Sequence, residues 1–169
     1  MKTVFLKTTL ALFFVAVLAT QSFAQKSPKA EATAAVGKGK ITIKYSQPSV
    51  KGREIWGKLV PYDAVWRTGA DDATTIELAK DATIEGQKLA AGTYSLFTIP
   101  TASGEWTIIF NKTAKQWGAY SYKEADDALR VKVKSSASEM TEKMTFNVAT
   151  DGTVTLMWEK LKVAFKVTQ

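Results

Sequence analysis

The sequence predicts an all-β fold: an antiparallel β-sandwich, jelly-roll-like, of about eight or nine strands. Three observations carry that expectation. Apolar residues recur at every second position through most of the chain after residue 40. Turn-forming residues punctuate these runs at close spacing. Apolar runs of the length that a crossover helix needs are missing from the body of the chain, which argues against a parallel sheet.

The elements follow in order. Residues 1–24 have the pattern of a secretory signal peptide. Lys2 and Lys7 make a positive start, Leu10 to Leu18 is an uncharged apolar run, and Ser22, Phe23 and Ala24 place small residues where a signal peptidase reads. The apolar run is too short to remain as a membrane span, so export, to the periplasm or outside the cell, is expected, with no membrane span after cleavage. Residues 25–39 (QKSPKAEATAAVGKG) are small and polar and are expected to form a flexible tether. Residues 40–169 are expected to form one β-sandwich domain.

Ile41, Ile43 and Tyr45 alternate with polar neighbours and mark the first strand. From Gln47 to Pro61, Pro48, Gly52, Gly57 and Pro61 break any regular pattern, so an ordered loop is expected. Residues 73–80 read as a strand, and Gly86 marks a tight reversal after it. Tyr94 to Ile99 is apolar on both faces and ends at Pro100; Trp106 to Phe110 is a further strand. Leu129, Val131 and Val133 alternate with Arg130, Lys132 and Lys134, which leaves one wet face. Phe146 and Val148 lead into Asp151-Gly152, a strong hairpin signal because glycine accepts the positive φ of the turn. Two alternating runs follow, Val154 to Trp158 and Leu161 to Val167. Only Lys115 to Ala128 lacks the pattern, with a short helix expected near residues 122–127.

Composition narrows the chemistry. The chain has no His and no Cys. Imidazole- and thiol-based nucleophile systems, common zinc sites, disulfides and a lipid-modified cysteine are therefore excluded. No cofactor or metal is expected. The formal net charge of +7 includes Lys2 and Lys7, and the remaining bases are interspersed with acids, so nucleic-acid binding is not expected. Among carboxylates, Asp63, Asp71, Asp72 and Glu77 are the only pair-forming candidates for hydrolysis, and Asp71-Asp72 read equally as ordinary loop residues.

Two stretches combine aromatic rings with polar forks, as polar-ligand and glycan sites do. Residues 45–75 hold Lys51, Arg53, Trp66, Arg67 and Asp72; residues 111–122 hold Asn111, Trp117 and Tyr120. A tryptophan in a small β domain usually belongs to the core, and a loop arginine often braces carbonyls, so structural roles stand beside ligand binding for each. We expect the two stretches to share a pocket or a buried polar network. The function expected first is non-catalytic binding of a small polar ligand or glycan. A carboxylate-dependent hydrolase and a structural or partner-binding envelope protein are the alternatives, and the oligomeric state is left open.

The segments YSQPSVKGREIWGKLVPYDAVWRTGADDATTI, AGTYSLFTIP, WTIIFNK and QWGAYSY, followed by Asp126 and Arg130, resemble the domain of unknown function 2911 family of exported bacterial proteins. The resemblance covers nearly all of the chain after the signal segment. It implies no particular activity, and it sets Lys51, Gly52, Arg53, Trp66, Arg67, Gly69, Asn111, Trp117 and Gly118 apart from the plain strands. After WRTGA that family usually carries Asn-Glu, where this chain has Asp71-Asp72.

Overall fold

A computed structural model describes residues 26–169; the expected signal peptide, residues 1–24, lies outside the described residues. The fold is all-β and antiparallel. Its nine strands are β1 (Lys29–Val36), β2 (Gly39–Ser46), β3 (Thr75–Leu78), β4 (Ala82–Ile84), β5 (Gln87–Leu89), β6 (Gly92–Ile99), β7 (Glu105–Asn111), β8 (Asp127–Val148) and β9 (Thr153–Thr168). They hydrogen-bond in the order β1-β2-β3-β6-β7-β8-β9-β4-β5. The helix expected near residues 122–127 is a single 3₁₀ turn, Glu124–Asp126.

One hydrogen-bonded sheet therefore stands where two packed sheets were expected, and it folds over on itself. The device is the long β8–β9 hairpin. Both strands bend, with register irregularities between Ala137 and Thr145, and Glu159 holds a φ of 56°. The bend brings the two ends of β9 together: the Val167 amide donates to the Gly152 carbonyl at 2.9 Å. A straight strand rising roughly 3.3 Å per residue would hold them far apart. One arm of the hairpin continues the sheet beside β7, and the other folds back across β2. There the Tyr45 hydroxyl accepts the Phe146 amide at 3.1 Å, and the two rings meet edge to face at 5.0 Å.

The apolar faces seal a core between these layers. Phe110 of β7 meets Phe165 of β9 at 5.8 Å, and Trp56, Trp66, Trp106 and Trp158 cluster with ring centroids 5.1–6.5 Å apart. β6 and β7 are buried on both faces, since Phe97 and Ile109 pack outward under Tyr122 and Val65. This matches the two-sided apolar pattern of residues 94–99.

The expected tether at residues 25–39 is corrected. β1 occupies Lys29–Val36 and pairs along its whole length with β2, from Lys29 opposite Ser46 to Val36 opposite Gly39. Its inward side chains are Ala30, Ala32 and Ala34, which pack half-buried on the core, and the buried Val36 at its end. Alternation exists there, but in residues too small to make a strong strand signal, so order comes from the ladder with β2 rather than from local propensity.

Candidate functional site

The site is built around one segment, Trp66 to Ala73, that leaves the core and passes between two cavities. Trp66 exchanges backbone hydrogen bonds with Thr98, 2.8 and 3.0 Å, which extends the sheet alongside β6 beyond the end of β3. The next residues turn sharply. Thr68 (φ 54°) and Asp71 (φ 58°) both hold left-handed backbone. That conformation is costly for a β-branched residue, and Thr68 is fixed in it by its surroundings. Its hydroxyl donates to the Trp66 carbonyl and to Thr98 Oγ1, both at 3.2 Å, and its carbonyl accepts Thr74 Oγ1 at 2.7 Å. Gly69 lies between, where a Cβ would come within 3.0 Å of Thr74 Oγ1 and 3.1 Å of the Ser46 carbonyl. Asp71 Oδ2 accepts the Ser27 amide at 3.1 Å. Asparagine or aspartate suits that position equally, since both tolerate left-handed backbone and both supply an acceptor.

The larger cavity, about 790 Å³, is a groove between the two loop stretches singled out in the sequence. Tyr45, Ser46, Asp72 and Thr75 line one side, Lys115, Gln116 and Trp117 the other, with β1 along its edge. Asp72 and Trp117 form an isolated bridge, and the Ala73 amide donates to the Gln116 carbonyl at 3.0 Å, so the loops are tied at the groove itself. Four of the five tryptophans are in the core; Trp117 is 55% exposed and offers its ring to the groove. Ser46 and Gln116 are buried, yet Ser46 Oγ and Gln116 Oε1 have no hydrogen-bond partner among the described residues. An unpaired buried polar atom costs about 1–3 kcal/mol, so two lining one groove need an explanation.

The second cavity, about 470 Å³, lies on the other side of the segment and contains Lys51, Arg53, Trp66 and Arg67 among its lining residues. Arg53 donates from Nε to the Val50 carbonyl at 3.1 Å and from Nη2 to the Ser49 carbonyl, so part of its fork braces the loop. Trp66 is 9% exposed and stacks on Trp158 at 5.9 Å, which makes it a core residue that also walls the cavity.

Asn111 and Tyr120 lie outside both cavities. Asn111 is fully buried and every polar atom of its amide is engaged. Nδ2 donates to the Lys123 carbonyl (3.0 Å) and Asp127 Oδ1 (2.8 Å), while Oδ1 accepts the Thr113 amide and Gln116 Nε2 (both 3.1 Å). It is the clamp of the 111–127 loop and has no free group for a ligand. Tyr120 is 85% exposed and stands over Gly118. Below this clamp, Asp127 Oδ2 accepts both Tyr122 Oη (2.6 Å) and Arg130 Nε (2.7 Å). Burial, and then donation to Asp127, push the Tyr122 phenol up to about 12, against the opposing pull of Arg130.

The carboxylate candidates for hydrolysis are not gathered. Of Asp63, Asp71, Asp72 and Glu77 only Asp72 lines the groove, and it pairs with Lys29 at 2.8 Å. No group of three acidic residues able to hold a metal ion occurs among the described residues. Ser46, Gln116, Lys26 and Lys143 also line the cavities and were not singled out by the sequence. Ser46 and Gln116 lie inside the two marked stretches, whereas Lys26 and Lys143 are remote from both in the chain and carry no signal of their own, since the residue types are common on any surface.

No curated protein and no solved structure matches the chain. A family model described as a protein of unknown function (DUF2911) matches residues 27–167, which takes in all nine strands but the last residue of β9 and every lining residue of both cavities but Lys26. The chain belongs to that family.

Proposed function

We propose that the protein binds a glycan or similar hydroxyl-bearing small molecule in the groove between the 45–75 and 111–122 loops, without catalysis, in the cell envelope or outside the cell. One observation carries this reading: the exposed Trp117 lines the same groove as a buried hydroxyl and a buried amide oxygen that lack partners among the described residues. A pyranose ring has an apolar C–H face and a rim of hydroxyls. The indole suits the face, and Ser46 Oγ and Gln116 Oε1 suit the rim. The left-handed backbone of Asp71, whose carbonyl accepts the Gly118 amide at 3.1 Å, holds the Trp117 loop in place before any ligand arrives. Such preorganisation lowers the ordering cost of binding.

The test is a thermal-shift screen of the purified protein against neutral mono- and oligosaccharides, followed by titration calorimetry of any that raise the melting temperature. Trp117→Ala is expected to weaken binding about five- to thirtyfold, as loss of a stacking platform worth about 1–2 kcal/mol requires, while leaving the melting temperature of the free protein nearly unchanged. Saccharide binding that is indifferent to Trp117→Ala, or an absence of any saccharide shift, would sink the proposal.

A further inference from the structure

The second cavity is distinct from the glycan groove in its charge. Its lining includes Lys26, Lys51, Arg53, Arg67 and Lys143, and no Asp or Glu. None of these five cations forms an ion pair among the described residues. Two carboxylates next in the chain to lining residues are engaged with backbone: Glu142 Oε1 accepts the Lys51 amide at 2.9 Å, and Asp71 Oδ2 accepts the Ser27 amide at 3.1 Å. Five like charges around one concavity repel one another and raise the local potential, a field that favours anions.

Two donors in the same wall point the same way. Arg67 Nε is buried with no hydrogen-bond partner among the described residues. So is the indole N–H of Trp158, a residue whose ring is fully buried in the core cluster. Buried donors are almost always paired, and an acceptor-only ligand is the partner that both lack. Lys51 and Thr68, on either side of the cavity's cations, hold φ of 47° and 54°, so the loops that present Lys51 and Arg67 are kept in conformations their residue types disfavour.

We propose that this cavity is an anion site that takes a phosphorylated small molecule. A phosphate dianion concentrates two charges and several acceptor oxygens in a small volume, which matches a cluster of guanidinium and ammonium groups better than a single carboxylate does. At about 470 Å³ the cavity has room for more than the phosphate group alone. The assignment is independent of the glycan reading, because the two cavities share no lining residue.

The experiment is titration calorimetry of the purified protein, expressed from its complete reading frame, with inorganic phosphate, pyrophosphate and citrate at low and high salt. Saturable one-site binding of pyrophosphate, weakened at least tenfold by Arg67→Met and again by raised salt, is the expected result. Because Arg67 is partly buried and its loss can disturb folding, the double variant Lys51→Asn with Lys143→Gln changes only exposed side chains and keeps a residue type that tolerates positive φ at position 51. It is expected to weaken pyrophosphate at least fivefold, while Trp117→Ala leaves it unaffected. No saturable heat with phosphate or pyrophosphate overturns the proposal, as does binding that survives both sets of substitutions. Citrate binding more tightly than pyrophosphate overturns the phosphate assignment.

Discussion

Tyr122 shows how single residues in this protein are fixed by a few specific partners. Its hydroxyl donates to Asp127 Oδ2 at 2.6 Å and accepts from Arg130 Nη2 at 2.6 Å, while its ring packs edge to face on Phe97 at 5.1 Å. Burial first, and the hydrogen bond to Asp127 second, raise its ionisation to about 12 from the ordinary 10. A raised phenol favours the neutral form in the folded state. Its contribution to stability is therefore whole below pH 10 and is lost between 10 and about 12, where the unfolded chain releases a proton that the folded chain retains. Thermal melts across that window should show a steeper fall for the wild type than for Tyr122→Phe, which has no phenol to ionise. Parallel slopes would mean that the hydroxyl is not linked to folding. Residues of this kind are barely legible in sequence. Asn111 and Trp117 look alike as polar or aromatic loop residues, yet one is buried with all its hydrogen bonds made and the other is half exposed on a groove. The difference lies in partners brought from Asp127 for one and from Asp72 for the other, distant in the chain, which no local pattern encodes.

At the level of elements, period-two burial made most strands readable. Ile41, Ile43 and Tyr45 of β2, Val131 of β8, and Val163, Phe165 and Val167 of β9 all point inward as their alternation requires. The Asp151-Gly152 turn forms as its residue types dictate, with Gly152 at φ 86° and the Ala149 amide donating to the Thr153 carbonyl at 2.9 Å. Two features escaped. β1 turns three alanines and only one larger residue, Val36, inward, and β8 runs on through the polar stretch SSASEMTEK, which has no apolar alternation. That polar stretch is the outside of the hairpin bend, where no side chain is buried and the ladder with β9 is broken by register shifts between Ala137 and Thr145. The bend itself rests on Glu159, whose φ of 56° is strained for any residue with a Cβ. Glu159→Val adds β-branching to that strain and should lower stability by about 1–2 kcal/mol in urea titrations. Glu159→Gly removes the strain and should unfold at the wild-type midpoint or above it. Equal stability of the two variants would place the bend elsewhere.

For the molecule as a whole, the decisive fact is that the layers share one core. The tryptophan cluster draws Trp56 and Trp66 from the long loop, Trp106 from β7 and Trp158 from the first half of β9, so each ring depends on the others being in place. The folded sheet is closed by contacts between elements remote in sequence: Val167 with Gly152, Phe146 with Tyr45, and Ser49 opposite Lys143. Without a disulfide to hold any part separately, the loss of one layer exposes the apolar face of the other. Unfolding should therefore be a single cooperative transition. Tryptophan fluorescence, which reports on the cluster, and far-ultraviolet circular dichroism, which reports on the whole sheet, should give superimposable urea curves with the same midpoint and slope. Trp117, being exposed, adds little to the fluorescence change, so Trp117→Ala should leave that curve in place and keep the ligand test separable from the stability test. A fluorescence midpoint below that of circular dichroism would show the folded-back arm of the β8–β9 hairpin opening before the main sheet. In that case both proposed cavities would be lost while most strands persist, since Lys143 and Trp158 on that arm wall one cavity and Tyr45, which packs against the arm at Phe146, walls the other.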